Sequence, residues 1–347
     1  MKNLKKLIFG ISILGVFTLS SCKLSIFTNE YNATTTEVKT VTTEDYSVPE
    51  PDIIGSYNVT FICNNGYVYK SKTNSSNKVL RPDNPEKICA TFKGWYTDSN
   101  FQNEFDFTRA VTKDITLYAK FDIDYVSLVN LASREYMKSN IRLLITNYER
   151  TYFGNQARNA STALGSGVIF YESGDYYYAL TNNHVVYTDK TFQEIIIEDA
   201  YENEYSATLI ANDANYDLAI VRFQKSTDLL VAEFSNYDIN KDELVLAFGE
   251  PNGLSNTLSM GYILGNKVFD PDKDTLQMSN VNFNVYMSSA PIDSGSSGGG
   301  LYDSNLKLIG INFASAVDND TKEYKYTYSI PLDKVREFIS SKMRITL

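Results

Sequence analysis

Ser297 lies in the run Ser294-Gly295-Ser296-Ser297-Gly298-Gly299-Gly300, flanked by "NFNVYMS" before and "LKLIGINF" after. By composition the run is a flexible linker. Its flanks read as strands and leave no room for a domain junction, so the backbone is held at both ends. A serine that attacks a carbonyl needs two backbone N–H groups aimed at the developing oxyanion, its own and one from two residues upstream. The upstream residue takes a conformation that a Cβ hinders, so glycine belongs there. Glycines just after the nucleophile let a substrate come close. Ser297 meets these demands, with Gly295 two before it and Gly298 and Gly299 following. Ser296 has Ser294 two before it, and Ser294 has Ile292. Ser297 is therefore the candidate nucleophile.

Such a serine needs a base, and the chain has one histidine, His184, in "LTNNHVV". A single histidine is ordinarily a satisfied core or surface residue. Here Thr181, Asn182 and Asn183 release the chain from a strand and Val185-Val186 anchor it again, which holds the imidazole at a strand end facing a cleft. In "NYDLAIVRF", Asp217 directly precedes an apolar strand, Leu218 to Phe223. A carboxylate at that border is costly to desolvate unless something donates to it, and a histidine N–H would serve. Asp213 nearby is better suited to a turn in water. An alcohol, an imidazole and a carboxylate together suit nucleophilic catalysis through a covalent intermediate.

Stepwise turns about every ten residues through 140–347 predict a strand-rich, all-β barrel or sandwich to position these groups. The strings "GSGVI", "LTNNHVV", "YDLAIVRF", "AFGEPNGLSNTLSMGYI" and "APIDSGSSGGGLYDSNLKLIGINFA" resemble trypsin-like serine proteases, and within them the HtrA/Deg type. The resemblance spans about 160–340, with the residues in the chain order His, Asp, Ser of the chymotrypsin fold. It implies a mainly β, chymotrypsin-like double β-barrel acting on protein or peptide substrates without a cofactor. Carried onto this chain, His184 is the general base, Asp217 orients it, and Ser297 attacks. The N–H groups of Gly295 and Ser297 form the oxyanion hole, and Gly310, Ile311, Asn312 and Phe313 bind extended substrate backbone as an added strand.

Departures from the family shape further expectations. Ser296 stands where Asn is common, a change expected to be tolerated. Digestive relatives have Asp there to pair with a freed N-terminal amine, so activation by a propeptide cut is not expected. Gly300 replaces a frequent Pro or Ala. The chain ends at Leu347, just after "YSIPLDKVREFI", which looks like the family's closing helix, so no PDZ domain is expected. Pro291 occupies the position that confers Arg/Lys preference in trypsin, and Asp293 is expected to face elsewhere. Glutamate-specific relatives use an additional histidine. Small or aliphatic side chains are therefore expected before the scissile bond.

Upstream, "MKNLKKLIFGISILGVFTLSSC" has a Lys-rich start and an apolar run, Leu7 to Leu19. That run is too short at ~1.5 Å per residue for a bilayer core of roughly 30 Å, so residues 1–21 read as an export signal. "LSSC" resembles the lipobox of bacterial lipoproteins, which implies cleavage before Cys22, lipidation of its sulfur and a protein lipid-anchored on the extracellular face of the cell membrane. Residues 22–55, rich in Thr, Ser, Glu and Asn, read as a flexible tether. Residues 56–122 alternate like strands, with a turn at Asn64-Asn65-Gly66 and the sole tryptophan, Trp95. They resemble the internalin-type B repeat, through "VTF", "FKGWY" and "VTKDITLYA", which implies a small β-grasp-like module serving as a spacer or binding an unidentified surface ligand. Residues 123–139 read as a linker helix capped by Asp124, and 140–347 as the protease domain.

The formal charge of −10 becomes −13 once residues 1–21, with Lys2, Lys5 and Lys6, are removed. An acidic chain without basic clusters argues against nucleic-acid binding. One histidine and no Cys/His cluster argue against a metal site. Cys63 and Cys89 are compatible with a disulfide or with two separate thiols. The rival to a membrane-anchored serine endopeptidase is a catalytically silent surface adhesin lipoprotein; inactive relatives typically lose Ser or His, and this chain keeps both.

Overall fold

The computed structural model describes residues 57–150, 157–188, 192–226, 228–250, 257–270, 279–317, 324–343 and 345. The export signal, Cys22 and the tether lie outside the described residues. Asp52–Leu347 form one compact unit.

The N-terminal module is a four-stranded sheet of β1 (Asn58–Ile62), β2 (Val68–Lys72), β3 (Ala90–Tyr96) and β4 (Ile115–Ile123), in the order β2-β1-β4-β3. β1 runs parallel to β4, with Phe61 opposite Leu117, and the other pairs are antiparallel. Its core is Val59, Phe61, Val79, Trp95 and Leu117, with Trp95 meeting Phe61 edge-on at 4.9 Å. The β1–β2 turn uses the left-handed backbone at Asn64 (φ 54°) and Gly66 (φ 93°), conformations these two residue types tolerate best. Helix α1 (Tyr125–Arg134) follows, its N-terminus capped by Asp124 accepting from the Ser127 N–H. A 3₁₀ turn, Tyr136–Ser139, leads into the barrels.

The first barrel closes in the order β10-β7-β6-β5-β8-β9 from β5 (Asn140–Arg150), β6 (Ala157–Ser173), β7 (Tyr176–Thr181), β8 (Phe192–Glu198), β9 (Glu204–Asp213) and β10 (Leu218–Gln224). A single helical turn, α2 (Asn183–Val186), follows β7. The second barrel closes in the order β11-β12-β13-β16-β15-β14 from β11 (Leu244–Gly249), β12 (Thr257–Val268), β13 (Asn284–Ser288), β14 (Gly300–Asp303), β15 (Leu308–Val317) and β16 (Tyr324–Pro331). Helix α3 (Leu332–Met343) closes the domain.

Several strands are apolar on both faces because both are covered. In β10, Ala219, Val221 and Phe223 fill the first barrel, while Leu218 and Ile220 face a second core between the barrels. In β11, Val245 and Ala247 fill the second barrel, while Leu244, Leu246 and Phe248 face the same shared core. Each such large apolar side chain contributes roughly 1.5–3 kcal/mol by leaving water. The shared core therefore fixes one barrel against the other, and with them the loops that meet across the gap.

That core reaches the N-terminal module. Ile88, Cys89 and Ile123 pack against it, and a Cβ on Gly66 would come within 3.0 Å of the Tyr237 ring. The module is thus seated on the double barrel. No disulfide joins Cys63 and Cys89; Cys63 is buried in the module core, and burial pushes its thiol up to about 11.

Candidate active site

β7 delivers His184. After Thr181 the chain leaves the sheet, and α2 drives Val185 and Val186 into the first barrel's core. Gly165 in β6 makes room for this turn, since a Cβ there would lie 2.5 Å from Val185 Cγ1. Asn212 Nδ2 donates to Asn183 Oδ1 at 2.6 Å and steadies the turn from β9. The His184 side chain keeps 17% of its surface exposed.

Asp217 is fully buried and sits at φ 50°, where few residues other than glycine, Asn and Asp are found. The kink turns its carboxylate toward α2. The His184 backbone N–H donates to Oδ1 at 2.9 Å, and His184 Nδ1 lies 2.8 Å from Oδ2. Asn182 Nδ2 donates to the Asp217 carbonyl at 2.9 Å. An ionised carboxylate can only accept along these lines, which places a ring hydrogen on Nδ1; in the neutral imidazole that tautomer leaves the lone pair on Nε2. Each carboxylate oxygen thus has a donor, which offsets the cost of removing it from water.

The serine loop comes from the second barrel and is shaped by close backbone approach. Gly295 has φ 97° and Gly298 φ 90°. A Cβ on Gly298 would lie 2.1 Å from the Ser166 carbonyl and 2.4 Å from Thr181 Oγ1, and one on Gly299 would lie 2.1 Å from the Phe248 carbonyl. The first contact presses the loop against β6 and β7, three residues before His184. The Ser296 N–H donates to the Asp293 carbonyl, Gly298 to Asn312 and Gly299 to Ser296. Among the described residues, the N–H groups of Gly295 and Ser297 donate to nothing. Two uncommitted donors beside a serine hydroxyl are what an oxyanion requires.

Of the three serines, Ser296 is buried against Gly249 and Ser294 is exposed. Ser297 Oγ contacts the Phe313 carbonyl at 3.5 Å and makes no hydrogen bond to His184. Bonds of this kind are often long or unformed before substrate binds. A cleft of about 370 Å³ opens beside Gly295, between Thr162-Ala163-Leu164 and Ser294. Among the described residues no three His, Cys, Asp or Glu side chains converge as a metal site requires.

The expected substrate strand needs correction. Gly310 pairs with both Leu301 and Pro331, and Ile311 with both Gly300 and Ile330. Asn312 pairs with Ser329, gives its N–H to Gly299 and takes the Gly298 N–H on its carbonyl. These three residues are hydrogen-bonded on both sides and cannot add a strand. β14 pairing stops at Ile311, a bulge falls at Phe313, and Ala314 to Ala316 pair only with β16. The open edge therefore begins at Phe313. Ser166 was not singled out from the sequence, and Asn182 was read only as one of the small polar residues that release the chain before His184, not as a donor to the Asp217 carbonyl.

Residues 165–311 match the trypsin-like peptidase domain, and residues 57–120 match the Listeria-Bacteroides repeat domain. The chain is 30% identical over 195 residues to the serine protease Do-like HtrA of Bacillus subtilis, covering 53% of this chain and 41% of that protein. It is 33% identical over 178 residues to a probable periplasmic serine endoprotease DegP-like of Buchnera aphidicola, covering 50% and 35%. A probable periplasmic serine protease do/HhoA-like of Haemophilus influenzae is 33% identical over 164 residues, covering 46% and 32%. The chain thus spans less than half the length of these relatives. Among solved structures, an HtrA-type protease with a decapeptide superposes with a TM-score of 0.50 at 24% identity, covering 63% of this chain and 68% of that one; the fold is shared.

Proposed function

We propose that this chain, with its trypsin-like peptidase domain of HtrA type, is a membrane-anchored extracytoplasmic serine endopeptidase. The observation that carries the reading is one pairing: a His184–Asp217 couple with every carboxylate oxygen bonded, and a loop on which the N–H groups of Gly295 and Ser297 are uncommitted and the Ser297 hydroxyl makes only a long contact to the Phe313 carbonyl. In the reaction, Ser297 Oγ turns from the Phe313 carbonyl and attacks the scissile carbonyl carbon while His184 Nε2 takes its proton. The oxygen that becomes negative is received by the N–H groups of Gly295 and Ser297. Asp217 holds the imidazolium that forms. Collapse breaks the C–N bond, and His184 returns the proton to the departing amine, leaving an acyl-Ser297 ester. Water then attacks that ester with His184 again as base, releasing the acid and restoring the serine.

Substrate backbone adds to the open edge from Phe313 to Ser315, not to Gly310–Asn312. Pro291, six residues before Ser297, carries no charge where an acid would select basic side chains, which favours small or aliphatic side chains ahead of the cleaved bond. Cys22 is the lipidation site. A diacylglycerol joined to its sulfur as a thioether brings two acyl chains, which suffice for stable anchoring where one is marginal, and this location fits relatives whose names mark them as periplasmic. The test is proteolysis of casein by the purified chain: cleavage by the wild type and none by Ser297→Ala supports the reading, and a folded wild type that leaves casein and a peptide library intact refutes it.

A further inference from the structure

Ser166, in β6, is fully buried, and each of its polar groups is used between segments that are distant in sequence. Its N–H donates to the Ser297 carbonyl at 2.7 Å. Its hydroxyl donates to the Gly295 carbonyl at 2.7 Å and accepts the Glu250 N–H at 2.9 Å. Its carbonyl accepts Thr181 Oγ1–H at 2.8 Å. One residue of the first barrel thus grips both residues of the second barrel whose N–H groups are uncommitted, Gly295 through its hydroxyl and Ser297 through its backbone N–H, and its carbonyl holds the end of the strand that leads to His184.

The grip matters most at Gly295. Among the described residues, neither the Ser294 carbonyl nor the Gly295 N–H is bonded, so the peptide between them is held only through its neighbours. On one side the Ser294 N–H is fixed to Asp293 Oδ1. On the other the Gly295 carbonyl is fixed only to Ser166 Oγ. Glycine at φ 97° has wide freedom to rotate, so losing that one bond lets the Gly295 N–H swing away from an oxyanion.

We infer that Ser166 is a positioning residue for the oxyanion hole, its hydroxyl locking the Gly295 carbonyl so that the Gly295 N–H stays aimed at the reacting oxygen. The inference rests on the proposed endopeptidase activity. A structural role alone would weaken folding and all ligands alike; a positioning role weakens binding of the tetrahedral state selectively. The experiment compares wild type, Ser166→Ala and Ser166→Cys for kcat on a peptide substrate, affinity for a peptide boronate and affinity for the matching product peptide. Removing a whole oxyanion donor costs 10²–10³-fold, so loosening one should lower kcat and boronate affinity together by about 30-fold. Product-peptide affinity should stay within about twofold, because the product makes no oxyanion. Ser166→Cys, close in volume and a weaker donor, should fall between the two and serves if the alanine variant does not fold. A boronate-to-product affinity ratio unchanged from wild type in the folded variants overturns the inference while leaving the protease reading intact. A wild type without peptidase activity overturns both.

Discussion

The two barrels prepare their catalytic groups in opposite ways. The first barrel presents a finished network: both Asp217 carboxylate oxygens, its carbonyl and the His184 N–H and Nδ1 are all engaged. The second presents a loop whose scaffold is bonded at the Ser296, Gly298 and Gly299 N–H groups, while the N–H groups of Gly295 and Ser297 are not. Unbonded backbone donors in a folded protein are costly and rare. The difference teaches where order is needed. A base must hold one orientation and one tautomer before the reaction, so it is saturated with partners. An oxyanion hole must be empty until charge develops, so rigidity is borrowed from the bonds around it.

Breaking the saturated side should have the larger effect. Asp217→Asn keeps the shape but offers an amide to His184 Nδ1, favouring the wrong tautomer, and kcat should fall by about 10⁴-fold. Steady-state kinetics with a thermal melt of the same sample would check it. A loss below tenfold in a folded variant would mean that the first barrel's network does not matter to the chemistry.

A smaller effect sharpens the other side of the comparison. Asp303 closes the β14–β15 hairpin that continues from the serine loop, and it is fully buried. Burial holds its carboxyl above the ordinary carboxylate range, against backbone donors from Lys307 and Asn305, the Tyr237 hydroxyl and the charge of Lys87 in the N-terminal module. The folded protein therefore keeps this proton to higher pH than the unfolded chain does. The resulting stabilisation is complete below the ordinary carboxylate pKa and is lost as pH rises through the raised value. Asp303→Asn should flatten that decline, leaving a urea midpoint less sensitive to pH across the acidic range. A variant with the wild-type slope would remove Asp303 as its source.

Much of the site was legible because its demands are local. Glycine two before a serine and glycines after it separate Ser297 from Ser294 and Ser296 within seven residues, and a single histidine leaves no competitor for the base. The substrate edge was misread because it depends on pairing. "GINF" reads as one strand, but only the register places β14 along Gly310 and Ile311 and leaves Phe313 as the first residue with an open side. Ser166 was hidden for the same reason: it reaches Gly295 across 129 positions of sequence. The φ of 50° at Asp217 leaves no mark in "NYDL" either. Ile88 and Cys89 fit the alternation of a small module, yet they turn toward another domain's core, a choice that only the assembled surface can make.

The most direct test is covalent. A fluorophosphonate probe needs a nucleophilic oxygen, a base to take its proton and donors to receive the phosphoryl oxygen, so it reports the meeting of both barrels in one event. Peptide mapping by mass spectrometry should find the adduct on Ser297 in the wild type and none on any residue of His184→Ala. An adduct on Ser294 or Ser296, or equal labelling of Ser297 in the His184→Ala variant, would contradict the account.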